Sequence, residues 1–263
     1  MDFLKSKQSF KNYVSNFKCN DEKINVKIKH TFGVVKIAEY IARGLNLLEA
    51  DVELAKLIGL LHDIGRFEQA ARYNNFSDHE TMDHAEYGVK LLFEDGLIRN
   101  FIAEDTYDEI IMKAIYNHNK FKIESGLSEK ELLHAKIIRD ADKTDNFLIK
   151  QYQDFWSLFR SSEVEVEKEM ITDSVWNEFQ SRCTIVTSHR ITNMDKWLSY
   201  IAWIYDYNFD VSLRYLKDNN CIDKVIDRLN YKNPDTKTKM EVARMEAKEY
   251  IDSRLNCEDC IKK

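Results

Sequence analysis

Glycine and proline are scarce in this chain, with seven glycines and one proline among 263 residues. Tight turns depend on these two residue types, so a sheet-rich fold would need more of them. The shortage favours long helices joined by short polar connections. Hydrophobic residues make up 44% of the chain and aromatic residues 12%, which is enough for the sizeable core of a helical domain with an appended helical lobe.

Apolar residues recur with helical spacing along most of the chain. The segment 24–45 ends at Arg43-Gly44, a basic residue followed by a glycine, which indicates a helix stop. The segment 51–64 is predicted to begin with an aspartate cap at Asp51 and to stop at Gly65. Ser128-x-x-Glu131 reads as a capping box. Further helices are predicted over residues 81–95, 107–119, 128–149, 174–182, 194–206, 208–218, 221–230 and 236–255.

The sequence changes character after residue 150. Residues 163–169 carry a charge at every other position, which is compatible with a strand or with the solvated start of a helix. Trp176, Trp197 and Trp203 are predicted to lie in a core. We therefore predict an all-α fold with a core over residues 20–155, a helical extension packing on it over 156–255 and a flexible tail over 256–263.

Charge and composition exclude several classes of partner. The net charge is −6, and no lysine- or arginine-rich tract with interleaved aromatics is present, so we expect no nucleic-acid surface. The amino terminus lacks the apolar core of a signal peptide, and no apolar run is long enough for a membrane span. The expected location is the cytoplasm, and apolar helix faces leave room for a homodimer.

The five cysteines are an odd number at scattered positions, 19, 183, 221, 257 and 260, which does not indicate a disulfide framework. Cys257 and Cys260 form a C-x-x-C pair without the further ligands that a zinc site needs. This pair is therefore interpreted as ordinary thiols.

Six ionisable residues fall on apolar helical stripes or at the end of an apolar run. His30, for example, shares one helical face with Val34, Ala38 and Ile41. The six residues are His30, His62, Asp63, His84, His118 and Asp142. Burying two unpaired carboxylates beside four imidazoles is costly, and a divalent cation removes the conflict by supplying positive charge. Imidazole and carboxylate ligands suit Mn, Fe, Co, Ni or Zn better than a dedicated magnesium site.

The same residues resemble the HD superfamily of metal-dependent phosphohydrolases, whose pattern is H…HD…D. His30, Leu61-His62-Asp63-Ile64-Gly65 and Asp142 reproduce it over roughly residues 25–150. His84 and His118 fall where binuclear members carry two extra histidines. By this resemblance, His30, His62, Asp63 and Asp142 hold one metal ion, and His84 and His118 hold a second that Asp63 bridges.

The resemblance also narrows the subfamily. Binuclear cyclic-di-GMP phosphodiesterases of this superfamily carry a second adjacent histidine and a glycine-tyrosine-proline element, and both are missing here. The order of motifs is closer to bacterial HD hydrolases that act on dinucleoside polyphosphates. His79, His134 and His189 match no motif position clearly, and His79 and His134 are interpreted as structural or exposed.

The expected activity is hydrolysis of a phosphoester or phosphoanhydride of a small substrate, a nucleotide, by metal-activated hydroxide. Asp63, Arg66 and Lys143 are the candidate catalytic residues, and Arg66, Lys143 and Arg190 are the candidates for phosphate contact. Asp140 and Asp145 are expected to orient the metal ligands. Two alternatives stay open: a di-iron oxygenase similar to inositol oxygenase, and a nucleotide-binding module without turnover.

Overall fold

The computed structural model describes residues 1–17 and 22–261, with side chains up to residue 256. This part of the chain is built from α-helices with a few short 3₁₀ and π turns, and it contains no β-strand. The predicted all-α class is therefore confirmed. Among the described residues, no helix combines the length and the apolar character that crossing a membrane requires.

The chain divides into two compact units, Met1–Asp145 and Asn146–Lys263. The sequence analysis predicted a core over residues 20–155, with different boundaries. The amino-terminal helix belongs to the first unit because the buried ring of Phe10 lies 5.7 Å from the rings of both Phe32 and Phe67. At the other end, one helix runs through the boundary, so no loop marks it in the sequence. Packing of the extension on the core remains a prediction.

The described residues of the first unit form six α-helices and the start of a seventh. They are α1 (Phe3–Val14), α2 (Glu22–Gly44), α3 (Glu49–Leu61), α4 (Ile64–Tyr73), α5 (His84–Val89), α6 (Asp108–Asn117) and α7 (Glu129–Lys150). A π turn, Lys90–Glu94, extends α5. The predicted stop at Gly44 is confirmed by the end of α2, and Ser128 and Glu131 form the predicted capping box at the start of α7.

Gly65 was wrongly predicted as a helix stop. It is the second residue of α4, which the sequence pattern did not predict. A Cβ at this position would overlap the backbone oxygen of His84 and lie 2.9 Å from the nitrogen of Gly88. Gly65 is therefore needed for the close approach of α4 and α5, a packing role that a sequence pattern does not distinguish from a stop.

Asp51 was wrongly predicted as a helix cap. α3 begins two residues earlier, at Glu49, and Leu48 occupies the cap position. The Asp51 carboxylate instead lies 3.0 Å from Lys130 Nζ and 3.3 Å from His134 Nε2. This tertiary contact ties the start of α3 to α7 and gives His134 the structural role that was predicted for it.

The second unit continues from the end of α7, and its described part contains seven further α-helices. They are α8 (Phe155–Phe159), α9 (Glu163–Val166), α10 (Asp173–Gln180), α11 (Asn193–Ala202), α12 (Asp210–Asp218), α13 (Cys221–Ile226) and α14 (Pro234–Ile261). The charged segment at 163–169 thus starts a helix, and a Ser162–Glu165 capping box precedes it. Trp197 is fully buried in the core of this unit, while Trp176 and Trp203 are partly buried against it.

The segment predicted as a tail begins inside a helix, because the backbone of α14 continues to Ile261. Residues 262–263 and the side chains of Cys257 and Cys260 lie outside the described residues, as does Cys19.

The buried His134 generates a prediction about pH. Burial lowers the pKa of His134, and the hydrogen bond to Asp51 only partly opposes this. The folded state therefore favours the neutral imidazole, whereas the unfolded chain binds a proton below pH about 6.5. His134 should contribute stability that is present above this pH and is lost as the pH falls further, at up to about 1.4 kcal/mol per pH unit.

Chemical denaturation of the wild type and of His134→Gln between pH 7.5 and 5.0 measures this contribution. The stability difference between the two proteins should shrink as the pH falls. His79→Gln makes the same substitution at an exposed position and is the matched control. A constant difference between wild type and His134→Gln over this range would contradict the assignment.

Candidate metal centre

Four buried histidines of the first unit share one orientation. In each ring Nδ1 bonds an oxygen at the periphery, and Nε2 points towards the other members of the cluster. The Nδ1 partners are Asp145 Oδ2 for His30 (2.7 Å), Gly59 O for His62 (2.8 Å), Asp78 Oδ2 for His84 (2.7 Å) and Ile115 O for His118 (2.6 Å). Carbonyl and carboxylate oxygens only accept, so each Nδ1 donates and the Nε2 atoms face inward. This is how histidine metal ligands are held in proteins.

The carboxylate of Asp63 lies between two pairs of these histidines. Its Oδ2 is 3.7 Å from His30 Nε2 and 3.6 Å from His62 Nε2. Its Oδ1 is 3.2 Å from His84 Nε2 and 3.8 Å from His118 Nε2. Each oxygen thus faces its own histidine pair, and within each resulting triplet the ligand atoms lie within 4.8 Å of one another. This arrangement suits a carboxylate that bridges two cations.

Asp142, on α7, belongs to the half of the cluster that contains His30 and His62. Its Oδ1 lies 2.9 Å from His30 Nε2 and 3.9 Å from His62 Nε2. Burial lowers the pKa of His30, but the hydrogen bonds to Asp142 and Asp145 outweigh this and raise it overall. The structure therefore brings together all six residues that the sequence predicted as metal ligands.

The cluster is electrostatically incomplete without cations. His84 Nε2 and His118 Nε2 face each other at 2.9 Å, and His62 Nε2 is buried without a hydrogen-bond partner among the described residues. Burial lowers the pKa of His62 to about 3, so this imidazole is neutral at physiological pH. An unpaired buried acceptor is unfavourable, and a cation bound to it would remove this cost. The side chains therefore fit divalent metal ions.

Two opposing effects act on the pKa of Asp63. Burial raises this pKa, but the Lys27 ammonium and the neighbouring histidines outweigh burial and hold the pKa well below its usual range. Lys27 Nζ lies 2.7 Å from Asp63 Oδ2. The sequence did not single out Lys27, because a lysine one turn before His30 on an amphipathic helix has the same spacing as an ordinary solvated charge. The centre thus contains a lysine as well as its ligands.

Glycine makes room for the support of His30. A Cβ on Gly33 would overlap the carboxylate of Asp145, which therefore occupies the space that a side chain would fill. Gly33 lies one turn after His30 on α2, so the carboxylate can reach the ring from beside the helix. Asp145 therefore orients the His30 ring, in agreement with the orienting role that was expected of it. Asp140 is buried on α7, and its expected orienting role remains a prediction.

Arg66 organises the loop that supports His84. Its Nη1 donates to Asp78 Oδ1 at 2.6 Å, to Phe76 O at 2.7 Å and to Gln69 Oε1 at 2.7 Å. Asp78 in turn holds His84, and it was missed by sequence reasoning because it lies in a polar segment without periodicity. Arg66 Nε is 3.6 Å from Asp63 Oδ1 and has no hydrogen-bond partner among the described residues.

The remaining candidates occupy different surroundings. Lys143 is half-buried next to Asp142 on α7, and Arg190 belongs to the second unit, so their substrate contacts remain predictions, as does that of Arg66. His79 is exposed, which agrees with its interpretation. The exposed His189 pairs with Glu178.

Comparison with known proteins supports the same assignment. The HD domain family model matches residues 28–146, which include all six ligands. Searches of curated proteins and of solved structures gave no significant match. Residues 28–146 therefore form an HD domain, the domain that defines a superfamily of metal-dependent hydrolases.

Proposed function

We propose that the HD domain hydrolyses a phosphoester or phosphoanhydride bond of a small phosphorylated substrate, a nucleotide. The observation that supports this most directly is the position of Asp63, whose two oxygens face two separate histidine pairs. His30, His62 and Asp142 would hold one cation with Asp63, and His84 and His118 would hold the other. Two such cations, when bound, lower the pKa of a water held between them and withdraw charge from a phosphoryl oxygen.

Two cationic side chains beside Asp63 favour an anionic substrate. Lys27 Nζ contacts one carboxylate oxygen, and Arg66 Nε approaches the other at 3.6 Å without a hydrogen-bond partner among the described residues. Both can donate to a phosphoryl group while staying at the edge of the ligand cluster. Lys143, next to Asp142, is the third candidate for phosphate contact.

Lys27 and Arg66 also help to distinguish hydrolysis from oxygenation. Imidazole and carboxylate ligands suit a di-iron oxygenase equally well. An uncharged substrate, however, would gain little from a lysine and an arginine directed at the same carboxylate, whereas a phosphate would gain from both. Hydrolysis is therefore preferred over oxygenation, and a complete set of ligands favours turnover over binding alone.

The first prediction from the proposed function concerns metal content. Elemental analysis of the purified chain, loaded with Mn²⁺ and freed of excess metal, should give two equivalents per chain. The double variant His84→Ala/His118→Ala should retain one equivalent, because only the pair facing Asp63 Oδ1 is removed. The exposed His79 provides the matched control, and His79→Ala should still bind two. One equivalent in the wild type would remove His84 and His118 from the metal centre.

The second prediction concerns catalysis. Asp63→Asn keeps the size of the side chain but removes the charge that both histidine pairs face. Hydrolysis of a generic phosphodiester and of a nucleotide panel should fall by more than the roughly 10–100-fold that changes outside the ligand set produce. The exposed Asp105→Asn is the control and should keep wild-type rates. An unchanged kcat in Asp63→Asn would exclude Asp63 from the mechanism.

The third prediction concerns the support of His30. Gly33→Ala places a methyl group where the Asp145 carboxylate lies and should displace it from His30 Nδ1. The metal affinity should fall about 10–100-fold, and Asp145→Asn should show a similar loss. The double variant should lose little more than either single variant, since both disturb one contact.

Isothermal titration with Mn²⁺ measures these affinities, and circular dichroism verifies the fold of each variant. Lys36→Ala, an exposed change on the same helix, is the control for helix propensity. Additive losses in the double variant would show that Gly33 acts other than through Asp145.

A further inference from the structure

Arg190, in the second unit, is a half-buried cation whose contacts are all neutral. It follows the 3₁₀ turn Thr187–His189, and α11 begins three residues later. Its Nε donates to Thr187 O at 3.3 Å and its Nη1 to Ser199 Oγ at 3.2 Å. Among the described residues no carboxylate contacts it. Burial lowers the pKa of Arg190, and the only opposing influence comes from Tyr200. A guanidinium nevertheless stays charged at neutral pH, so this cation lacks a counter-charge.

The geometry around Ser199 fixes the guanidinium in place. Ser199 is buried, and its hydroxyl donates to Lys196 O at 2.7 Å, which leaves its lone pairs for Arg190. Arg190 Nη2 makes no hydrogen bond with a described residue, so at least one edge of the fork is available. A preformed guanidinium fork of this kind is suited to phosphate or carboxylate oxygens.

Tyr200 directly follows Ser199 in α11 and provides a second donor. Its hydroxyl makes no hydrogen bond with a described residue, and burial raises the pKa of Tyr200 to about 12, against the lowering effect of Arg190. The phenol is therefore protonated and can donate. The buried Lys150 packs on this residue, with Nζ 4.8 Å from the centre of the Tyr200 ring, and donates to Gln153 Oε1 at 3.3 Å.

We propose that Arg190 and Tyr200 form a binding site for a phosphate group within the second unit. The guanidinium fork of Arg190 and the phenol of Tyr200, which follows the Arg190 partner Ser199 in α11, can donate to several acceptor oxygens of one phosphate. The site needs no metal ion and no residue of the HD domain. The phosphate is carried either by the substrate of the proposed hydrolysis or by a separate phosphorylated regulator.

Binding of inorganic phosphate to the full, metal-free chain tests this site. Isothermal titration is performed in an Arg66→Gln background, so that a cation of the HD domain does not add a second binding event. Arg190→Gln should then weaken phosphate binding about tenfold or more, as expected for loss of a charge-assisted hydrogen bond. Tyr200→Phe, which removes only the hydroxyl, should weaken it less.

Two further variants serve as controls. Arg190→Lys keeps the charge but loses the fork, and its affinity should lie between those of wild type and Arg190→Gln. Arg182→Gln changes an exposed arginine of the same unit and should bind phosphate as the parent does. Circular dichroism and melting temperature verify that each variant is folded. No saturable binding in the parent, or equal affinity in Arg190→Gln, would overturn the proposal.

Steady-state kinetics of the metal-loaded chain separate the two sources of the phosphate. Competition between inorganic phosphate and the substrate, with a raised KM in Arg190→Gln, assigns the site to the substrate. A change of kcat at saturating substrate that Arg190→Gln abolishes assigns it to a regulator. If phosphate binds through Arg190 while no phosphorylated compound is hydrolysed, the proposed function fails and this site stands.

Discussion

Both halves of the histidine cluster face one carboxylate. Asp63 presents Oδ2 to His30 and His62 and presents Oδ1 to His84 and His118, at 3.2 to 3.8 Å. A buried carboxylate is stable only with positive charge close to it, because desolvation penalises the ionised form. The surrounding helices therefore have to place positive charge or hydrogen-bond donors next to the Asp63 carboxylate. The histidine orientations, the lysine on α2 and the arginine on α4 are all arranged around Asp63, which makes the cluster a centre for cations and not a set of independent buried residues.

Close approach of the backbone makes this arrangement possible. Gly33 leaves room for Asp145 to reach His30, and Gly65 leaves room for the His84 backbone oxygen against α4. In both places a Cβ would collide with a group that positions a histidine. Gly33 and Gly65 are not metal ligands themselves, but a larger side chain at either position would displace a group that positions a histidine. Helix packing at these glycines should therefore influence the metal affinity.

Sequence reasoning identified the ligands because each lies on an apolar stripe or in the His-Asp motif, where an ionisable residue is conspicuous. It missed Lys27 and Asp78 for the opposite reason. A lysine on a helix has the same spacing whether it is solvated or directed inward, and Asp78 lies in a polar segment where a carboxylate attracts no attention. The stop assigned to Gly65 failed because a glycine that ends a helix and a glycine that permits close packing give the same signal. Whether Lys27 and Asp78 point inward, and whether Gly65 packs against another helix, depends on which residues surround them in the folded protein. A local sequence pattern does not contain this information.

Charge balance links the metal ions to the substrate. Among the described ion pairs of the centre, the carboxylates of Asp63, Asp78, Asp142 and Asp145 meet the cations Lys27 and Arg66, four negative groups against two positive ones. Such a site repels a phosphate. Two divalent cations would turn this excess of two negative charges into an excess of two positive ones, and in a partly buried site that reversal is weakly screened. Metal binding and binding of an anionic substrate should therefore be strongly cooperative, and by linkage a phosphate in the site should raise the metal affinity by the same factor.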